Sequence, residues 1–252
     1  MKLPNIKKLF SPDPGKVFFE LDLSNADLYV VVWEANDEQM KKALRANLDS
    51  HLQNARDLFK LGISDEELVK NTPANDNAAK KFYKQRYLAK RFCHGTNYGG
   101  SARTMAITCE ITVAESERLQ ENWFLAHPGI KQWHIRTGNQ LRKDRTISNR
   151  FGYRRFFPDR LDEIFPEALA WVPQSTVANL INKIWLSFDN ELPEVEILAQ
   201  VHDSLAGQVP IQGAGDTFSR MKLEAGKIFV PYDDPLFIPC SLKSSQVSWG
   251  HC

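Results

Sequence analysis

The strand signals of this chain sit at its two ends, and that constrains the fold more than anything else in it. Lys16 to Leu21 is a short aromatic and β-branched run behind the turn signal Pro12-Asp13-Pro14-Gly15, and Asp22 ends it. Far downstream, Val195 to Val201 reads as an apolar strand. His202-Asp203-Ser204 reads as a tight turn, and Leu205 to Val209 as the return strand. Apart from a basic hairpin over Ile147 to Phe157, the residues between read mostly as helix. A sheet here must be closed by segments remote in sequence, which predicts an α+β fold.

The helical segments follow from spacing and punctuation. Ala26 to Trp33 is apolar and starts a buried helix, although Val-Val-Val-Trp suits a strand as well. Residues 37–60 read as one helix capped by Asp37. A loop over residues 71–79 precedes a helix from about Ala78, with Asp76 or Asn77 as N-cap. Thr112 to Phe124 is helical, Pro128-Gly129 breaks the chain, and Lys131 to Leu141 resumes. Pro173 to Phe188 is helical after a proline start, and Thr217 to Gly226 is the last helix, with Gly226 as its stop.

Composition excludes several classes. With 252 residues, 42% hydrophobic and 25% charged, the chain is neither disordered nor fibrous. Its longest apolar run, Leu28 to Trp33, is far short of the ~20 residues that span a bilayer, so no membrane partner is expected. Residues 1–10 lack the apolar core of a secretory signal. The four cysteines show no paired spacing, so reduced thiols and an intracellular, cytoplasmic setting are expected.

The net charge of +1 hides a segregation. Val17 to Met40 carries six acids and no Lys or Arg, and Ile184 to Ser219 repeats that pattern. Lys80, Lys81, Lys84, Arg86, Lys90 and Arg91 form a basic block without an acid. A second basic block runs from Arg136 to Arg160. Such separation suits a chain that meets a polyanion with one part and cations with another, and it equally suits solvated faces.

Two constellations carry chemistry. Asp22 and Asp203 lie 181 positions apart, each at the end of a strand. If those strands are neighbours, both carboxylates stand at one sheet edge and can hold hard divalent cations. Two such ions can clamp an in-line phosphoryl displacement. Aspartate is also a common strand-end and turn residue, so spacing alone leaves both readings open. The second constellation is Arg86, Lys90, His94 and Tyr98, spaced i, i+4 along one helical face. Cations beside rings suit a nucleoside triphosphate; the same row also reads as an exposed basic helix. Gly95, Gly99 and Gly100 permit close approach nearby.

Taken together, these segments resemble the family A DNA polymerases. Asp22-Leu23-Ser24-Asn25-Ala26-Asp27-Leu28 resembles the first palm motif, Asp-x-Ser-Gln-x-Glu-Leu. Arg86-x3-Lys90-x3-His94-Gly95-x2-Tyr98-Gly99 resembles the fingers-helix motif. Val201-His202-Asp203-Ser204 resembles the second palm motif, Val-His-Asp-Glu. Gly152 to Asp159, Pro173 to Thr176 and Ser248-Trp249-Gly250 are weaker matches in the family's order, so agreement runs over about residues 3–250.

The resemblance implies a palm, a small antiparallel sheet with helices, plus mostly helical fingers. The palm would comprise residues 1–36 and 161–252, and the fingers 37–160. It implies a template-directed DNA polymerase that joins a deoxynucleoside triphosphate to a primer 3′-hydroxyl and releases pyrophosphate. Asp22 and Asp203 would bind two Mg²⁺ ions, with Mn²⁺ as a substitute. Arg86 and Lys90 would contact the triphosphate, and His94 and Tyr98 the nucleotide and templating base. Asp27 would lie under the sugar, and Ser24 would bind the nucleotide. His202, Gln174, Arg154, Arg155 and Tyr98 would touch primer-template DNA.

Three departures follow. Ser204 stands for the family's Glu, His94 for its Phe or Tyr, and the shorter Asp27 for its Glu. Since the chain begins just before the first palm motif, the expectation is either that a separate chain supplies a thumb and an exonuclease-like domain or that this is a fragment of a split or decayed gene, and isolated binding to DNA is expected to be weak and salt-sensitive. The alternatives are a non-catalytic nucleotide- and nucleic-acid-binding remnant, and a single-subunit RNA polymerase relative. Asp27 speaks against the second.

Overall fold

The first strand shows the alternation that organises the sheet. In the computed structural model, which describes residues 5–252, Val17, Phe19, Leu21 and Leu23 are buried on one face of β1 (Lys16–Leu23). The other strands are β2 (Thr146–Ser148), β3 (Arg154–Phe156), β4 (Glu196–Val201), β5 (Ser204–Pro210) and β6 (Cys240–Ser245). The helices begin with α1 (Ala26–Ala35), α2 (Glu38–Arg45), α3 (Ser50–Phe59), α4 (Asp65–Leu68), α5 (Pro73–Lys81) and α6 (Tyr83–Asn97). They continue with α7 (Ala102–Cys109), α8 (Val113–Ala126), α9 (Pro128–Asp144), α10 (Leu161–Glu191) and α11 (Ala214–Lys227). No helix among the described residues is long and apolar enough to cross a membrane.

The chain divides into two compact units. One runs up to Asp27 and adds Asn149–Tyr153 and Gln174–Cys252. The other takes Leu28–Ser148 and Arg154–Pro173.

The first unit holds the antiparallel sheet β4-β5-β1-β6, so the two ends of the chain do share one sheet. Asp22 does not end β1, as its polarity suggests. It is paired on both sides, to Ser204 and to Ser241, and the strand continues through Leu23. The mostly polar β6 escapes sequence detection because it is an edge strand, where polar side chains are the rule. On one face Phe19 meets Phe218 of α11 edge-on. On the other, Phe18 stacks on Trp249, whose backbone N–H donates to the Phe10 carbonyl. Gly207 is obligatory in β5, because a Cβ there would lie 2.2 Å from the Glu196 carbonyl oxygen and 2.8 Å from the Phe19 ring.

The second unit is a helical assembly with the small β2-β3 hairpin, which matches the expected basic hairpin. Trp123 is its largest fully buried side chain, and its Nε1 donates to Asn97 Oδ1 at 2.8 Å. His127 is completely buried, 2.7 Å from Asp37 Oδ2 and 3.4 Å from Asp57 Oδ2. This imidazole ties the α2 N-cap, α3 and the α8–α9 junction together.

Several helix boundaries differ from the sequence reading, each for a local reason. Residues 37–60 form two helices, because Asn47 takes a left-handed conformation and Asp49 caps a new start. The α5 helix begins earlier than expected: Thr72 is its N-cap and Pro73 occupies the first turn, so Asp76 and Asn77 lie inside. Pro128 starts α9 rather than breaking the chain. The long α10 passes through Pro166 and Pro173. Its buried row of Ile164, Ala168, Leu169, Val172, Leu180, Ile181 and Ile184 offsets the ~3 kcal/mol that an interior proline costs. Gly226 does not stop α11, which reaches Lys227.

Candidate active site

Pairing of β1 with β5 decides where the two candidate acids stand. Asp22 is directly opposite Ser204, and Asp203 belongs to the two-residue loop just before it. The Leu23 N–H donates to the Asp203 carbonyl at 3.1 Å, so the loop is fastened to β1 beside Asp22. His202 takes the left-handed position of that loop, at φ +54°, which a two-residue hairpin demands. The Ser204 hydroxyl donates to the Val201 carbonyl at 2.9 Å and closes the turn.

The electrostatics reflect this proximity. Burial raises the Asp22 carboxyl above its ordinary range, and Asp203 and then Glu20 push it further in the same direction. Lys243 and Lys7 only partly oppose the rise. A bound cation would relieve the repulsion. The donors fit a hard divalent ion: both are carboxylates, and Mg²⁺ is held by one or two protein carboxylates plus water and substrate oxygens. No group of three or more His, Cys, Asp or Glu side chains among the described residues forms a closed metal cage.

Four other sequence-predicted residues belong to this unit. Ser24 follows β1, its N–H donating to the Pro239 carbonyl at 2.8 Å. Asp27 sits half-buried in the first turn of α1, where the helix dipole favours a carboxylate. His202 and Gln174 are exposed, on the hairpin loop and on α10.

The second unit carries the cationic row. Arg86, Lys90 and His94 lie on α6, and Tyr98 is its C-cap. Lys90 and His94 are exposed, Arg86 and Tyr98 half-buried. The His94 and Tyr98 rings meet edge-to-face with centroids 4.5 Å apart. Both line a cavity of about 1250 Å³ that also receives Phe124, His134, Phe165 and Arg142. Its rings and rim cations suit a flat, anionic ligand. Gly95, Gly99 and Gly100 line this cavity, and they also serve helix packing. A Cβ on Gly95 would come within 2.5 Å of Met105 Sδ, and one on Gly99 within 2.9 Å of Leu169.

Two residues here have no motif to announce them. Asp49 accepts from Arg86 Nε at 3.1 Å and Nη2 at 3.2 Å, while capping the His51 and Leu52 N–H groups of α3. Arg86 is thereby held by a fork-shaped pair. His51 lies under the same cations: burial first, then the Arg86 and Lys90 charges, bring its pKa down to about 4. Its Nδ1 is buried without a hydrogen-bond partner. The only sequence signal was an Asp-Ser-His start to a helix, which is common to many caps.

Arg154 and Arg155 stand exposed on β3, and Arg155 pairs with Glu167 of α10. The structure thus gathers Asp22 and Asp203 in one unit, and Arg86, Lys90, His94 and Tyr98 in the other.

Comparison with known proteins gives one answer. The model of DNA polymerase family A matches residues 2–225. The chain is 28% identical over 240 residues to a thermostable DNA polymerase I of Thermus filiformis, covering 92% of this chain and 27% of that protein. It is 27% identical over 217 residues to DNA polymerase I of Geobacillus stearothermophilus, covering 81% and 23%. It therefore spans about a quarter of the length of these relatives. Among solved structures, the POL domain of Pol1 from M. smegmatis, in complex with DNA primer-template and dNTP, superposes with a TM-score of 0.82 at 23% identity. The match covers 97% of this chain and 42% of that one, and it shows the shared α+β palm-and-fingers fold. On the strength of the match over residues 2–225, the chain belongs to DNA polymerase family A.

Proposed function

We propose that this chain is the catalytic palm-and-fingers module of a template-directed DNA polymerase. The observation that carries the proposal is the placement of Asp203 beside Asp22 by the β1–β5 pairing, in a chain of this family. The palm is drawn from both ends of the chain, residues 1–36 and 161–252, and the fingers from residues 37–160. Residues 1–4 lie outside the described residues.

Two divalent ions, Mg²⁺ or Mn²⁺, would supply the Lewis-acid clamp on the attacking and leaving oxygens of an in-line displacement. Asp22 and Asp203 would hold those ions. Arg86 and Lys90 meet the triphosphate, where negative charge develops on the departing pyrophosphate. The Asp49 fork fixes the Arg86 guanidinium, so its remaining donors are aimed without an entropy cost at the moment of binding. His94 and Tyr98 line the nucleotide and templating-base side. Asp27 lies toward the sugar, and Ser24 binds the nucleotide. His202, Gln174, Arg154 and Arg155 position primer and template through phosphates and the minor groove. Ser204 stands where the family has Glu, and its hydroxyl donates to the Val201 carbonyl to close the hairpin turn. A duplex-gripping segment, on this polypeptide or a separate thumb-bearing chain, supplies the remaining phosphate contacts.

Single-nucleotide incorporation on a primer-template tests this, with the complementary segment supplied. The expected result is Mg²⁺-dependent addition of the templated dNTP, reduced by roughly 1,000-fold or more in Asp22→Ala and Asp203→Ala. Preferential use of rNTPs would instead favour an RNA polymerase. No incorporation, with triphosphate binding indifferent to Asp203→Ala, would mean a non-catalytic binding protein.

A further inference from the structure

The α6 helix carries a second row of side chains, one residue along from the cationic row. Tyr83, Tyr87 and Arg91 are spaced i, i+4, i+8 and form a ladder on its surface. The tyrosines are 66% and 55% exposed, an unusual state for two large rings side by side. Their planes are 18° from parallel with centroids 6.5 Å apart, and the Arg91 guanidinium lies 5.9 Å from the Tyr87 centroid. Arg91 is held there by donating to the Thr108 carbonyl.

The surroundings are cationic. Between Asp76 and Glu110 the sequence contains no acid and seven bases. Lys80, Lys81 and Lys84 are exposed around the first turn of α6, and Lys90 further along it. Aromatic rings that stack bases, bordered by cations that follow a phosphate backbone, are the elements of a single-strand track. The 6.5 Å spacing is about two nucleotide steps of ~3.4 Å, so bases of one strand can lie against both rings. A duplex cannot use such a ladder, because its bases are already stacked and their faces hidden.

We propose that Tyr83, Tyr87 and Arg91 form a docking track for an unpaired nucleic-acid strand, with Lys80 and Lys84 on its phosphates. The track lies beside the triphosphate row and meets it at Arg91, which lines the same cavity as His94 and Tyr98. It goes beyond the polymerase reading and does not depend on it. On a primer-template its occupant is the single-stranded overhang.

Fluorescence anisotropy with a labelled dT12 strand, an abasic strand of equal length, a blunt 12-base-pair duplex and oligoglutamate tests the proposal. The wild-type chain is expected to bind dT12 more tightly than the abasic strand. The Tyr83→Ala/Tyr87→Ala double variant is expected to bind dT12 roughly 10-fold more weakly or worse. It should bind the abasic strand and the duplex as the wild type does, and Tyr83→Phe/Tyr87→Phe should restore dT12 affinity. Equal wild-type affinity for dT12 and the abasic strand would overturn the proposal. So would an unchanged dT12 affinity in the alanine variant, equal loss on duplex, or oligoglutamate binding as tight as dT12. A chain that shows the dT12 preference yet incorporates no nucleotide even with the complementary segment supplied would sink the polymerase reading and leave this one standing.

Discussion

The backbone N–H of Leu23 donates to the carbonyl of Asp203 at 3.1 Å, from a residue 180 positions away in the chain. That bond, with the Asp22–Ser204 pairing next to it, holds two like charges together at the end of one sheet. Such an arrangement trades stability for chemistry, and the trade is measurable.

Asp22 has a raised pKa, from burial first and then from Asp203. A group whose folded pKa exceeds its unfolded value stabilises the fold below the unfolded pKa, and that contribution is lost as pH rises through the folded value. At neutral pH without metal the ionised Asp22 is therefore a burden. Asp22→Asn is expected to raise the Tm, by about 2 °C for a screened effect under ~1 kcal/mol. Mg²⁺ should raise the Tm of the wild type and not of the variant. Differential scanning calorimetry with and without Mg²⁺ reads both effects, and a lower Tm for metal-free Asp22→Asn would contradict them.

Asp49 serves α3 and Arg86 at once. Asp49→Ala removes a cap on two N–H groups and the partner of a guanidinium fork, so a loss of about 2 kcal/mol in urea unfolding is expected. The freed Arg86 should also bind triphosphate less well, seen as a higher dNTP Kd. Asp49→Asn should keep much of the cap and lose the ion pair, which separates the two roles.

His51 offers a probe of the proposed triphosphate site. Its pKa of about 4 lies below the ordinary 6.5, so the unfolded chain takes up its proton first as pH falls. Stability should therefore decline from about pH 6.5 toward pH 4. A triphosphate bound to Arg86 and Lys90 cancels the charges that depress His51. NMR titration of the ring protons should show its pKa rising with dNTP and in Lys90→Met. Ordinary titration near 6.5, unmoved by dNTP, would place His51 away from the phosphates.

The buried His127 behaves in the opposite sense. Burial lowers its pKa, but the hydrogen bonds and charges of Asp37 and Asp57 outweigh that and raise it above 6.5. Its contribution is present below pH 6.5 and lost as pH rises through the higher folded value. Burial pushes Asp37 up, yet the His127 and Met40 hydrogen bonds bring it below the ordinary 3.8, so its share is lost only on acidification. Asp37→Ala strands a buried cation and uncaps α2, with an expected cost of about 3 kcal/mol. The Asp37→Ala penalty should shrink as pH rises from 6 to 9, read by urea unfolding across that range.

Much of this was legible in the residues themselves. The aromatic and β-branched run behind Pro12 to Gly15 exposed β1, the Val201 to Ser204 turn exposed the β4–β5 hairpin, and both follow from preferences that local sequence controls. The i, i+4 row on α6 was equally visible, because helical spacing alone aligns it. What stayed hidden depends on tertiary context. Pro173 reads as a helix start, and only the buried apolar row on both sides of it carries α10 through. The polar β6 is a strand because β1 offers it a free edge. Asp49 and His51 gain their significance from Arg86, 37 and 35 positions later, a relation that no local pattern encodes.

The central claim is that Asp22 and Asp203 act as one divalent-ion site, and Mn²⁺ electron paramagnetic resonance in the presence of dNTP measures it. The wild-type chain should titrate free Mn²⁺ out of the spectrum, and Asp22→Asn and Asp203→Asn should each weaken that binding about 10-fold or more. Equal Mn²⁺ binding by the wild type and both variants would contradict the account.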